Sequence, residues 1–217
     1  MILSWFLEAL CPPKCIISKK EGSWLSENFT YFPPAPTNQA NFKYIDEIHA
    51  ITGYYDPVVE KIVEHFKFQG FKQLATVMMQ NKRETVPKNY LNTEYIVPIP
   101  LHWTRKIYRG YNQAEKLAKA ASKELKVPVN NGLRRRKKTK QQARLKKDDR
   151  LKNLESAFIW KNSEIPTSII LIDDVVASGS TLDQAARACK KAGVKTVYGL
   201  VFARGGKNYS MRSKIIE

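Results

Sequence analysis

An α/β three-layer fold, a parallel sheet covered by helices on both faces, is what this sequence predicts, and three observations predict it. Residues 168–174, SIILIDD, form a continuous apolar run with acids only at its carboxyl end, the pattern of a strand buried on both faces. Residues 181–193, TLDQAARACKKAG, carry Leu182, Ala185, Ala186, Cys189 and Ala192 at helical spacing, and Gly193 supplies the stop. Residues 194–203, VKTVYGLVFA, give a second buried strand, so the stretch is a β-loop-α-β unit, which implies a parallel sheet.

The remaining elements follow in chain order. Residues 1 to about 42 are irregular and Pro-rich, with Pro12, Pro13, Pro33, Pro34 and Pro36, and form a small N-terminal appendage to a main domain over 43–217. Within it, Ile2, Trp5, Phe6, Ala9 and Leu10 suit a short docked helix. Residues 45–55 suit a strand, and Pro57 opens a helix whose apolar face is Val58, Ile62, Val63 and Phe66. A second helix follows Gly70, with Phe71, Leu74, Ala75 and Met78 inward. YIVPIPL, residues 95–101, reads as a strand ending in a Pro-stiffened loop. A helix over 112–126 comes next, with Ala114, Leu117, Ala118, Ala121 and Leu125 on one face, and ESAFIW, residues 155–160, is a further short strand.

At 217 residues the chain can bury well over half of its unfolded surface. With 43% apolar residues it is not disordered as a whole, and no apolar run is long enough to span a bilayer. The apolar N-terminus lacks the basic region and cleavage site of a secretory signal, so it reads as mature sequence. Three cysteines, Cys11, Cys15 and Cys189, make no disulfide framework and fit a reducing cytoplasm. Cys189 reads as inert packing.

Charge is unevenly placed. Lys and Arg number 37 against 20 Asp and Glu, a net +17, and residues 134–152 hold eleven of those cations with two Asp, a local +9. Like charges this dense predict an exposed, mobile segment. Composition leaves two roles open, a solvated charged loop or a segment closing on a polyanion, whether nucleic-acid phosphates or a small diphosphate.

Ligands of open α/β sheets bind beyond the carboxyl ends of the strands, where Asp173 and Asp174 stand. Adjacent carboxylates there call for partners that satisfy their acceptors, such as ribose hydroxyls or Mg²⁺. Ala177, Ser178, Gly179, Ser180 and Thr181 then form a small-residue loop entering a helix, whose backbone amides, hydroxyls and dipole favour a phosphate. A diacid for ribose beside a cradle for its 5′-phosphate describes a phosphoribosyl site.

On these residues the sequence resembles a known family. IILIDDVVASGSTL, residues 169–182, is similar to the signature of type I phosphoribosyltransferases. IVPIPLHWTRKIYRGYNQAEKLA, residues 96–118, and KTKQQARLKKDDRLKNLESAF, residues 138–158, resemble blocks of the ComF family, the competence proteins of natural transformation. The resemblance implies that Asp173 and Asp174 engage the ribose hydroxyls of phosphoribosyl diphosphate (PRPP), as the catalytic acids of any transfer, and that Ala177 to Thr181 hold its 5′-phosphate. Arg105 and Arg109, in a block with Gly110, Asn112 and Gln113, then lie on a diphosphate-contacting loop, and the basic run occupies the place of a flexible hood.

The chain departs from the family at its start. Members commonly carry a zinc module of C-x-x-C pairs, whereas here Cys11 and Cys15 have three residues between them and Ser18, Ser23 and Ser26 stand where partners are expected. Serine is a poor zinc ligand, so the segment reads as a degenerate module without metal, and His49 and His65 read as ordinary half-buried histidines.

Two functions follow as expectations. One is a competence protein, cytoplasmic or peripheral at the inner membrane, that handles single-stranded DNA beside other competence proteins. Arg134, Arg135, Arg136, Lys137, Lys138 and Lys140 would meet phosphates, and Trp103, Tyr108 and Tyr111, interleaved with Arg105, Lys106 and Arg109, would stack bases. The other is an active Mg²⁺-dependent phosphoribosyltransferase acting on a nitrogen nucleophile, and nothing in the chain specifies that acceptor.

Overall fold

The computed structural model describes residues 14–21, 25, 35, 42–136 and 157–205. Four strands make one parallel sheet in the order β1 (Glu47–Gly53), β6 (Thr196–Arg204), β5 (Ser168–Val176) and β2 (Tyr95–Pro98). Side chains of a strand alternate between faces, and β5 divides accordingly. Ile170 and Ile172 join one core cluster with α1 (Pro57–Phe68), α2 (Leu74–Met79) and α5 (Gln113–Leu125). Ile169 and Leu171 join the other, with α6 (Ser180–Ala192) and the antiparallel pair β3 (Leu133–Arg135) and β4 (Phe158–Trp160). These are the three layers that the apolar strands require, since a sheet apolar on both faces must be covered on both.

Local chemistry sets the helix boundaries. Asp56 Oδ1 accepts from Val58 N at 2.8 Å and Val59 N at 3.3 Å, and Pro57 occupies the first turn, where its missing N–H costs nothing. Asn112 caps α5 by accepting from Ala114 N at 3.2 Å. Gly193 ends α6 at φ 115°, a left-handed conformation costly for a residue with a Cβ.

Several boundaries differ from the sequence expectation. The first strand is shorter, Glu47–Gly53, and Phe71 precedes α2 rather than opening it. β5 runs two residues past the acid pair, to Val176, because Val175 and Val176 continue the ladder opposite Ala203 and Arg204. A four-residue helix α3 (Lys88–Leu91) was not expected; it is too short to show periodicity. The segment after Pro100 is not a loop throughout, since Trp103–Arg109 forms helix α4, closed by Gly110 at φ 74°. No residue of α4 is buried, so hydrophobic patterning had no face to reveal it.

Within the appendage, a Lys14–Glu21 bridge closes a turn in which Cys15 Sγ accepts from Ser18 N at 3.4 Å. Ile16 and Leu25 belong to the core cluster of α1 and α5, so these residues pack on the main body. The expected helix over residues 1–10, Cys11, Ser23 and Ser26 lie outside the described residues. Residues 43–46 are tied to α6 and β6: Asp183 Oδ1 accepts from Lys43 N and Tyr44 N at 3.0 and 2.8 Å, and Lys190 pairs with Asp46 at 2.7 Å.

Candidate functional site

A cavity of about 320 Å³ opens where β5 ends and α6 begins. Asp173, Asp174, Ala177, Ser178, Gly179, Ser180, Thr181, Arg105 and Arg109 all line it, so the nine residues singled out for a phosphoribosyl ligand converge on one space.

The two acids are adjacent in sequence but serve different sides of the sheet. By alternation Asp174 follows Ile170 and Ile172 toward α1, where its Oδ1 lies 3.4 Å from Lys67 Nζ. Asp173 follows Ile169 and Leu171 toward the β3 side, where Arg135 feels its charge weakly. Burial first, and the Asp174 charge second, push the Asp173 carboxyl up to about 7; its own Oδ1 accepts from Asp174 N at 2.9 Å and opposes the shift. The Lys67 and Arg109 charges also oppose it.

The loop is shaped by Gly179. It sits at φ 75°, and a Cβ placed there would lie 2.0 Å from Phe42 Cε1, so both backbone and space require glycine. As the N-cap of α6 it offers no side chain of its own to the first-turn amides, of which Ser180 N donates to Ser178 Oγ at 3.5 Å. Ser178 and Ser180 hydroxyls lie 3.1 Å apart at the rim.

Asn112 and Gln113 organise the opposite wall. Asn112 is buried and donates Nδ2 to Ile99 O at 3.0 Å, which locks the Pro100 turn to α5. Gln113, also buried, donates to Lys67 O at 3.2 Å and accepts from Arg109 Nη1 at 3.3 Å. Arg109 further lies over the Phe68 ring, 4.9 Å from its centroid. One glutamine therefore links the main chain of Lys67 to the guanidinium of Arg109. Lys67 escaped the sequence reading because a lysine in the last turn of an amphipathic helix carries no signal beyond surface charge and dipole complementarity.

A second cavity, about 510 Å³, adjoins the first and shares Pro100, Leu101, Asn112 and Arg135 with it. Arg134 and Arg136 line it as well. These arginines are exposed, as expected of the basic run, but they are held in regular structure: Arg134 and Arg135 belong to β3, paired with Ile159 and Phe158, and Arg136 N donates to Ala157 O. Arg135 stacks over the Phe158 ring at 5.3 Å. Lys137, Lys138 and Lys140 lie outside the described residues.

Of the three aromatics read as base-stacking, Trp103 and Tyr108 are 54% and 82% exposed, but Tyr111 is a core residue. It packs edge-on against Phe66, its hydroxyl donates to Phe66 O, and burial pushes that hydroxyl up to about 12, so it is no stacking platform. His49 is half-buried as expected, whereas His65 is buried against Phe71. Cys189 is fully buried, its thiol pushed up to about 12.

Asp173 Oδ1 accepts from Asp174 N and Asp174 Oδ1 from Val175 N at 2.7 Å, and Mg²⁺ binds through one or two carboxylates with the rest of its shell from water and phosphate oxygens. No cluster of three His, Cys, Asp or Glu side chains able to hold a metal occurs among the described residues, so any Mg²⁺ here would draw ligands from the phosphates. Nor is any helix among them long and apolar enough to cross a membrane.

Residues 112–216 match the phosphoribosyl transferase domain family. The chain is 35% identical over 164 residues to competence protein F of Haemophilus influenzae, covering 70% of this chain and 72% of that protein. It is 32% identical over 141 residues to competence protein ComFC of Bacillus subtilis, covering 64% and 56%. It is 26% identical over 154 residues to the DNA utilization protein YhgH of Shigella flexneri, covering 66% of each. The parallel sheet, the acid pair and loop at its carboxyl edge, and this similarity together place the chain in the ComF family of competence proteins, with a type I phosphoribosyltransferase fold.

Proposed function

We propose that the protein binds PRPP with Mg²⁺ in the first cavity and serves natural transformation by handling single-stranded DNA in the cytoplasm or at the inner membrane. The observation that carries the ligand is the convergence of all nine residues on one cavity. Amides and hydroxyls of residues 177–181 receive the 5′-phosphate, Asp173 and Asp174 accept from the ribose hydroxyls, and Arg105 and Arg109 neutralise the diphosphate. Mg²⁺, when bound, neutralises diphosphate charge. The DNA role draws on the names of the relatives, on the net +17 and on the arginines of β3.

Calorimetric titration with PRPP and Mg²⁺ tests the site. Native protein is expected to bind and Asp173→Asn/Asp174→Asn to fail; equal binding by both would remove the assignment. Transformation frequency in a deletion strain tests the DNA role, together with the salt dependence of oligonucleotide affinity.

A second reading, ribosyl transfer, is favoured by the cations Arg105, Arg109 and Lys67 around the space for a leaving group. The C1–O bond would break with its electron pair leaving on diphosphate, as a C1–N bond forms to the acceptor. Diphosphate release in the presence of candidate nitrogen acceptors decides it.

A further inference from the structure

The second cavity is built unlike the first. Lys106, Lys119, Arg134, Arg135 and Arg136 face it against the single carboxylate of Glu115, five cations to one anion, so the space carries +4. It contains neither acid of the pair and no residue of the phosphate loop. Trp103, more than half exposed, stands in its wall. Cations gathered around one space repel each other until an anion neutralises them, and one phosphomonoester is too little charge for five of them. An exposed indole beside the cations offers a stacking surface for an aromatic base. A series of phosphates with unpaired bases matches both features, whereas a duplex hides its base faces.

Arg135 is the link between the cavities. It lines both, and its guanidinium is held below the ordinary arginine range by burial first and the Arg105 charge next, with Asp173 pulling the other way. One side chain thus senses the charge of both spaces. An anion in either draws on the same guanidinium, and two anions side by side repel.

We propose that the second cavity seats a nucleotide unit of a single-stranded nucleic acid, and that Arg135 makes strand binding and PRPP binding mutually antagonistic. The antagonism rests on the first cavity being a PRPP site; the strand site does not. Lys106, Lys119, Arg134 and Arg136 contact phosphates, Trp103 stacks a base, and PRPP loading weakens the hold on the strand.

The test is fluorescence anisotropy of a labelled oligothymidylate on the full chain, with and without saturating Mg²⁺ and PRPP at matched ionic strength. The Kd for the strand is expected to rise at least about fivefold with PRPP, and by reciprocity the strand raises the PRPP Kd by the same factor in calorimetry. Arg135→Gln is expected to cut that factor below twofold and Arg135→Lys to retain part of it. Lys106→Ala/Lys119→Ala is expected to weaken the strand about tenfold and leave PRPP affinity unchanged.

PRPP binding without effect on the strand overturns the coupling, and unaltered strand affinity in the Lys106/Lys119 variant overturns the second site. Antagonism that survives Asp173→Asn/Asp174→Asn means that PRPP competes directly in the second cavity, and sinks the two-site account. If thymidine monophosphate displaces the strand at comparable concentration, the ligand is a free nucleotide and the strand assignment falls. Failure of PRPP to bind at all removes the proposed PRPP function and the coupling together, while the Lys106/Lys119 variant still decides the strand site.

Discussion

Lys67 Nζ lies 3.4 Å from Asp174 Oδ1, with the two side chains only 21% and 9% exposed, whereas neighbouring Asp173 makes no such ion pair among the described residues. Two consecutive carboxylates are thereby made unlike: one is held by a cation from α1, the other is desolvated and shifted toward neutrality. The asymmetry comes from strand alternation, which sends consecutive side chains to opposite faces.

Removing the cation should therefore cost more than a surface lysine would. Lys67→Met is expected to destabilise the fold by about 1–3 kcal/mol, less than for a fully enclosed pair because Lys67 retains some solvent. Adding Asp174→Asn should recover most of that loss, and urea denaturation of the four proteins of the double-mutant cycle measures the coupling.

The pH dependence of stability should carry the mark of Asp173. Its carboxyl titrates near 3.8 unfolded and about 7 folded, so between these values the native state holds the extra proton and stability falls as pH rises. Asp173→Asn removes this slope. The variant should match the parent near pH 4 and exceed it by about 1–2 kcal/mol at pH 8, a discounted figure for a half-buried group. Denaturation midpoints measured from pH 4 to 8 check it, and a constant difference across the range contradicts it.

Gly179→Ala should disturb the loop by two separable effects. The left-handed φ of 75° costs roughly 1 kcal/mol, and the clash with Phe42 adds to it. Total destabilisation of about 1–3 kcal/mol is expected, with PRPP binding weakened. Phe42→Ala in the same chain should relieve the clash but not the backbone strain, which thermal melts of both variants will show.

Asn112→Ala removes a helix cap and a donor to Ile99 O at once. A loss of about 1–3 kcal/mol is expected, larger than for capping alone, because Ile99 O is left without that donor. Asn112→Ser, which can still accept from Ala114 N, should recover the capping part only.

Elements with a buried periodic face were legible in the sequence. β5, β6, α5 and α6 declared themselves because burial on one or two faces forces a pattern of period 2 or 3.6, or an unbroken apolar run. α4 and α3 were not legible, one having no buried face and the other no length. β3 was hidden by its own charge, since Arg134 and Arg135 look like part of a solvated run, yet pair with Ile159 and Phe158. Tyr111 was misread for the related reason that interleaving with arginines along the chain says nothing about which way a side chain turns.

By itself, then, the sequence determined the layered parallel architecture, the family, and a nine-residue set that shares one cavity, because those residues lie in two contiguous stretches whose local chemistry is self-contained. Tertiary structure decided the rest: that Lys67 belongs to the site, that Asp173 and Asp174 serve opposite faces, and that Arg135 fronts two cavities. Each of these depends on segments distant in sequence, residues 67 and 174 being 107 positions apart and 135 and 173 being 38 apart. Such contacts depend on how sheet alternation and helix packing bring remote segments together, and no local pattern encodes that.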